Sequence, residues 1–170
     1  MPNKNIKATR KETRASYIKR YKPRKVLVMT DLQFMLRALE VSKKALPHCI
    51  PNPPVGCVLV KNGSIVAEGF TQPIGGNHAE VEALNKYSGS LENVIAYVTL
   101  EPCAFEGRTP SCAKMLASSN ISKVVVAMKD HDHRNNGKGL SILINNGIEV
   151  EVGIAAVEVD EFIAQYLGQS

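Results

Sequence analysis

The chain has 170 residues, of which 44% are hydrophobic and 22% charged, with a net charge of +5 and four cysteines. That is enough for one globular domain with its own core, and no apolar run approaches the ~20 residues needed to cross a bilayer, so no membrane span is expected. The amino terminus lacks the apolar stretch of a secretory signal, so the expected location is the cytoplasm, where thiols stay reduced and open to metal.

The charge is unevenly spread. Residues 1–28 hold ten Lys or Arg against one acid, Glu12, which is +9 and leaves 5 − 9 = −4 for the remainder. Few apolar residues and high charge predict a disordered basic extension over 1–28 and a folded unit over 29–170. Tyr17 and Tyr21 among the cations would also suit phosphates and stacked bases, so the segment admits a nucleic-acid partner without favouring one. A third reading is an upstream extension ahead of a start at Met29.

From Asp31 the chain reads as alternating elements. Asp31 is expected to cap a helix with Leu32, Met35, Leu36, Leu39 and Val41 on its inner side, ending near Pro47. Strands follow at 55–60 and 65–70, joined at Asn62-Gly63, a strong hairpin signal. His78-Ala79-Glu80-Val81-Glu82-Ala83-Leu84 opens a helix, 94–100 is a strand, and Pro110 begins a second helix with proline in its first turn. A strand at 124–128, a helix at 140–145, a strand at 148–152 and a helix at 156–167 complete the chain. Alternation after the hairpin predicts parallel strands with helical crossovers, in an α/β/α three-layer domain around a mixed sheet of about five strands.

The chemistry is concentrated between residues 78 and 112. His78, Cys103 and Cys112 are one imidazole and two thiols, a Zn²⁺ ligand set that leaves the fourth tetrahedral position to water. Glu80, two residues from the imidazole, is not needed as a ligand and can move that water's protons. The order of these residues, the Glu offset and the Pro102-Cys103 step agree with the H-x-E…P-C signature of zinc deaminases, so hydrolytic deamination is the expected reaction. Isolated residues such as Cys49, Cys57, His131 and His133 are expected to be ordinary core or surface side chains.

The stretches Asn52-Pro53-Pro54-Val55-Gly56-Cys57, His78-Ala79-Glu80-Val81, Thr99-Leu100-Glu101-Pro102-Cys103 and Gly107-Arg108-Thr109-Pro110-Ser111-Cys112 resemble the deaminase domain of the bacterial riboflavin-biosynthesis deaminase/reductases, a branch of the cytidine deaminase-like superfamily. The likeness runs from about residue 31 to 167, and the long spacing between Cys103 and Cys112 is its most specific element. It implies the cytidine deaminase-like fold and a substrate of the 2,5-diamino-6-ribosylamino-4-pyrimidinone 5′-phosphate type. It implies zinc on His78, Cys103 and Cys112, and Glu80 as proton shuttle. It also implies substrate contacts from Asn52, Ala79 and Arg108, the last near the phosphate, where a guanidinium fork makes independent sense. No fused reductase is expected in this length, which leaves a separate reductase partner open; pairing into homo-oligomers, common for such domains, is open too.

The chain departs from that family's pattern at Thr71, Glu82 and Phe105, where the family has histidines, and throughout Asp130–Gly139. The motifs therefore support the reaction type further than the substrate. Deamination of another pyrimidine-like or pterin-like compound, or of a nucleic-acid base, stays open, as does a non-catalytic relative. The loop at 130–139 follows a strand's carboxyl end and is expected to meet the substrate's polar tail rather than a second metal.

Overall fold

The computed structural model describes residues 28–107 and 109–166. The expectations for Arg108 and for the basic segment before Val28 lie outside them.

Strand β1 (Gly56–Lys61) turns at Asn62-Gly63 into β2 (Ser64–Phe70). Asn62 and Gly63 take φ of 52° and 72°, the left-handed pair that a two-residue hairpin requires. β3 (Val94–Leu100), β4 (Lys123–Met128) and β5 (Glu149–Val152) complete one sheet of order β2-β1-β3-β4-β5. β1 is antiparallel to β2 and to β3, whereas β3, β4 and β5 run parallel, so the sheet is mixed as expected.

Side chains alternate across the strands and feed two cores. Cys57, Leu59, Val124 and Val126 face α2 (Ala79–Lys86), α3 (Cys112–Ala117) and α4 (Lys138–Asn145). Val58, Val60, Val125 and Ala127 face α1 (Asp31–Ser42) and α5 (Ala156–Ile163). The result is the three-layer arrangement. Two glycines set its tightest contacts: a Cβ on Gly56 would lie 2.0 Å from Ala38 O, and one on Gly69 would lie 2.1 Å from Ala79 O. β2 can thus seat the first turn of α2 directly against its backbone.

Several boundaries differ from expectation. The cap of α1 is Thr30, not Asp31: its hydroxyl accepts from Gln33 N at 3.3 Å while Gln33 Oε1 accepts from Thr30 N at 2.9 Å, a full capping box. Asp31 instead accepts the Tyr97 hydroxyl at 2.6 Å. Leu32 is 48% exposed, and Phe34 and Ala38 take the inner positions beside Met35. Pro110 stands outside α3, because Ser111 is its cap and accepts from Lys114 N. α4 begins at Lys138, two residues earlier than expected, and α5 closes at Ile163.

Candidate active site

His78 is the N-cap of α2, in extended conformation, so its ring stands off the helix start instead of lying along the helix. Cys103 lies three residues beyond β3, and Cys112 is the first residue of α3. The loop between them is stitched at its root. Ser111 Oγ donates to Cys103 O at 2.7 Å, Ala113 N to the same carbonyl at 3.1 Å, and Cys112 N to Cys103 Sγ at 3.3 Å. His78 Nδ1 then stands 3.7 Å from Cys103 Sγ and 3.3 Å from Cys112 Sγ.

These separations bracket the ~3.6 Å that tetrahedral angles and ordinary Zn–N and Zn–S bond lengths require between donors. The three donor atoms lie within 4.8 Å of one another, and among the described residues they form the group of His, Cys, Asp and Glu arranged to hold a metal. A soft donor pair plus imidazole suits zinc, and three ligands leave one position open. The donor set therefore fits the ion.

The electrostatics are those of a poised ligand set. Donation from Cys112 and His78 pulls the Cys103 thiol down to about 4, against burial. The same contact with Cys103, together with burial, pushes Cys112 up, so without a cation the pair holds a single thiolate. His78 is raised chiefly by its hydrogen bond to Cys103. Glu80, in the first turn of α2, is 4% exposed, and burial pushes it up to about 7. It interacts with Cys112 and with the Cys103 and His78 charges, which puts a titratable carboxyl beside the donor triangle.

His78, Glu80 and Cys103 line a cavity of about 880 Å³. Asn52 also lines it, on a turn that Thr71 holds: the Thr71 hydroxyl donates to Pro53 O at 3.1 Å and accepts from Val55 N at 3.0 Å. Ala79 does not line the cavity; its methyl is buried in the core against the sheet. Glu82 points elsewhere and accepts from Asn77 Nδ2 at 3.0 Å. Phe105 lies in the wall beneath the Arg134 guanidinium, 4.7 Å from its ring centroid, and Arg134 pairs with Asp132.

His131 and His133 reach the cavity rim with side chains 72% and 93% exposed, beside Asp160 and Asp132 respectively. Cys57 is fully buried, and burial and Glu80 push its thiol up, so it stays a protonated core residue. Sequence alone assigns no role to two buried polar residues beside the site, Glu101 and Asn135. Glu101 accepts from Gly137 N and Gly139 N, each at 2.9 Å, and Asn135 Oδ1 accepts from Ala104 N at 2.9 Å.

The family model for the cytidine and deoxycytidylate deaminase zinc-binding region matches residues 28–128. The riboflavin biosynthesis protein RibD of Actinobacillus pleuropneumoniae is 46% identical over 132 residues, which is 78% of this chain and 35% of that protein. The chain thus spans about a third of the length of that RibD relative. A shorter relative from Buchnera aphidicola subsp. Acyrthosiphon pisum, named diaminohydroxyphosphoribosylamino-pyrimidine deaminase, is 41% identical over 79% of this chain and 91% of its own length. The solved structure of Acinetobacter baumannii RibD superposes with a TM-score of 0.77 at 45% identity, covering 81% of this chain and 38% of that one. The chain belongs to the cytidine and deoxycytidylate deaminase zinc-binding family, on its riboflavin-biosynthesis deaminase branch.

Proposed function

We propose that the chain hydrolyses a ring amino group of an aminopyrimidine ribosyl phosphate, of the 2,5-diamino-6-ribosylamino-4-pyrimidinone 5′-phosphate type, in riboflavin biosynthesis. The observation that carries this reading is the His78–Cys103–Cys112 triangle with Glu80 buried beside it on one cavity. The likeness over nearly the full length of the Buchnera deaminase supports the substrate class. Residues 29–170 would form the unit that carries the activity.

In this reading His78, Cys103 and Cys112 hold Zn²⁺. Zn²⁺ bound there would supply a Lewis acid and bring the pKa of a water it holds down toward ~7. Burial raises the Glu80 carboxyl to about 7 in the metal-free chain, which suits it to accept a proton near neutrality and give it up again. It would take one proton from the attacking water and pass it to the ring nitrogen, then take the second from the newly added hydroxyl and give it to the departing amine. Oxygen bonds to the ring carbon, the C–N bond breaks, and ammonia leaves, so water and the substrate account for every atom. Asn52 faces the ring from the turn that Thr71 fixes, and Arg108 meets the phosphate.

The test is ammonia release from purified, zinc-loaded protein offered aminopyrimidine ribosyl phosphates, their dephosphorylated forms, pterins, nucleosides and tRNA. Turnover confined to the aminopyrimidine phosphates is expected. Preferred turnover of tRNA or of free nucleosides would replace this reading.

A further inference from the structure

The loop between β4 and α4 forms one wall of the cavity, through Asp130, His131, Asp132, His133 and Arg134. Every one of these side chains is polar and the segment has no strand or helix of its own, so something else must hold its shape. Two buried side chains do so. Glu101 is 4% exposed and Asn135 is fully buried.

Glu101 clamps both ends of the loop. At the entrance, Glu101 Oε2 accepts from Asp130 N at 3.1 Å. At the exit, its carboxylate accepts from Gly137 N and Gly139 N at 2.9 Å and from Leu140 N at 3.3 Å, which satisfies the first turn of α4. Asn135 clamps the middle. Its Oδ1 accepts from Ala104 N at 2.9 Å, and its Nδ2 donates to Asp130 Oδ2 at 3.2 Å and to Glu101 O at 3.4 Å. The backbones also meet closely, since a Cβ on Gly139 would lie 1.9 Å from Pro102 O.

Apart from the Asn135–Asp130 bond within the loop, these bonds end on Glu101 or Ala104, which lie on either side of Cys103. The geometry points to Glu101 and Asn135 as positioning residues that lock the 130–139 loop onto the segment carrying Cys103, so that the substrate-facing wall and this metal ligand move as one body. A multiply bonded buried carboxylate is well suited to this, because each N–H bond to a charged acceptor is stronger than a neutral one. The inference rests on the reading of the site given above for its link to substrate, though the lock itself does not need that reading.

The experiment compares wild type with Glu101→Gln and Asn135→Ala by amide hydrogen exchange, by zinc release to a chelator and, where turnover is measurable, by KM against kcat. In Glu101→Gln the amides of Asp130, Gly137, Gly139 and Leu140 are expected to exchange about tenfold faster while those of β3 and β4 keep their rates. In Asn135→Ala the Ala104 amide is expected to do the same. Zinc release is expected to quicken by about threefold or more, and KM to rise more than kcat falls.

Loop amides that keep wild-type rates would overturn the proposal. So would a parallel rise in β3 and β4, the mark of a residue that only stabilises the fold, or a loosened loop with unchanged zinc release and KM. If Glu101→Gln fails to fold, the Ala104 amide in Asn135→Ala decides. If wild type turns over none of the aminopyrimidine phosphates, exchange and zinc release still decide the lock, while the functional reading fails separately.

Discussion

Cys112 Sγ lies 3.3 Å from His78 Nδ1, although 34 residues separate them in the chain. Each is fixed by a helix start: His78 caps α2, and Cys112 opens α3 behind the Ser111 cap. Both helices pack on the same face of the sheet, so the fold itself closes the distance.

Removing a thiol should therefore remove the metal. Cys103→Ala or Cys112→Ala is expected to bring zinc content to below about a tenth of wild type and to lower the unfolding midpoint, because binding energy at such a site is folding energy. Cys49→Ala, at a buried thiol outside the donor group, serves as the control and should keep its zinc. Elemental analysis and thermal unfolding of the three variants check this; normal zinc in Cys112→Ala contradicts it.

The raised carboxyl of Glu80 makes a pH prediction for the metal-free protein. Its ordinary value is 4.5 and burial raises it to about 7, so in that window the folded chain holds a proton that the unfolded chain has released. Stability from this side chain is therefore present at low pH and lost as pH rises toward 7, by ~3 kcal/mol for a shift of this size. Glu80→Gln carries no charge and escapes the loss. Denaturant unfolding with a chelator present, at about pH 5 and about pH 8, should show the variant gaining on wild type as pH rises. A gap that ignores pH contradicts the burial of this carboxyl.

Gly69 offers a test of how α2 is seated. A Cβ there would meet Ala79 O at 2.1 Å and Ala83 N at 2.5 Å, both backbone atoms that cannot swing away. Gly69→Ala is expected to cost about 2 kcal/mol or more and to weaken zinc retention, since the displaced turn begins at His78. Equal stability and equal zinc in this variant would mean that α2 does not rest on β2 as described.

Much of this was legible in the sequence, for reasons that differ by residue. The bounds of β3 and the Asn62-Gly63 turn follow from local pattern, and His78, Glu80, Cys103 and Cys112 are recognisable because each sits in a short run with few alternatives. Thr30 and Asp31 are adjacent capping types, so type alone does not separate them; Gln33 at the third helical position decides for Thr30, and Asp31 finds a partner 66 residues away. Proline suits a first turn, which favours Pro110 as the start of α3, but the Ser111 hydroxyl takes the cap and shifts the start. Glu101 and Asn135 were invisible because their partners lie about thirty or more residues off, and no local pattern encodes such pairing.

Arg108 carries the substrate's phosphate in the proposed reading. Arg108→Ala is expected to lose roughly 1.5–3 kcal/mol, or about 10- to 100-fold in kcat/KM, on phosphorylated substrate and little on its dephosphorylated form. Steady-state kinetics on the two forms check it. An equal loss on both, or a wild type indifferent to the phosphate, removes Arg108 from that role and weakens the riboflavin-type substrate assignment.

The central claim is that three residues hold zinc while a fourth, Glu80, moves protons without being a ligand. Zinc content and ammonia release from the aminopyrimidine ribosyl phosphate, measured on the same samples of wild type and Glu80→Gln, test it most directly. The account predicts about one zinc per chain in both proteins and turnover lower by on the order of 10²–10⁴ in the variant. Normal ammonia release by Glu80→Gln, or a wild type that takes up no zinc, would contradict it.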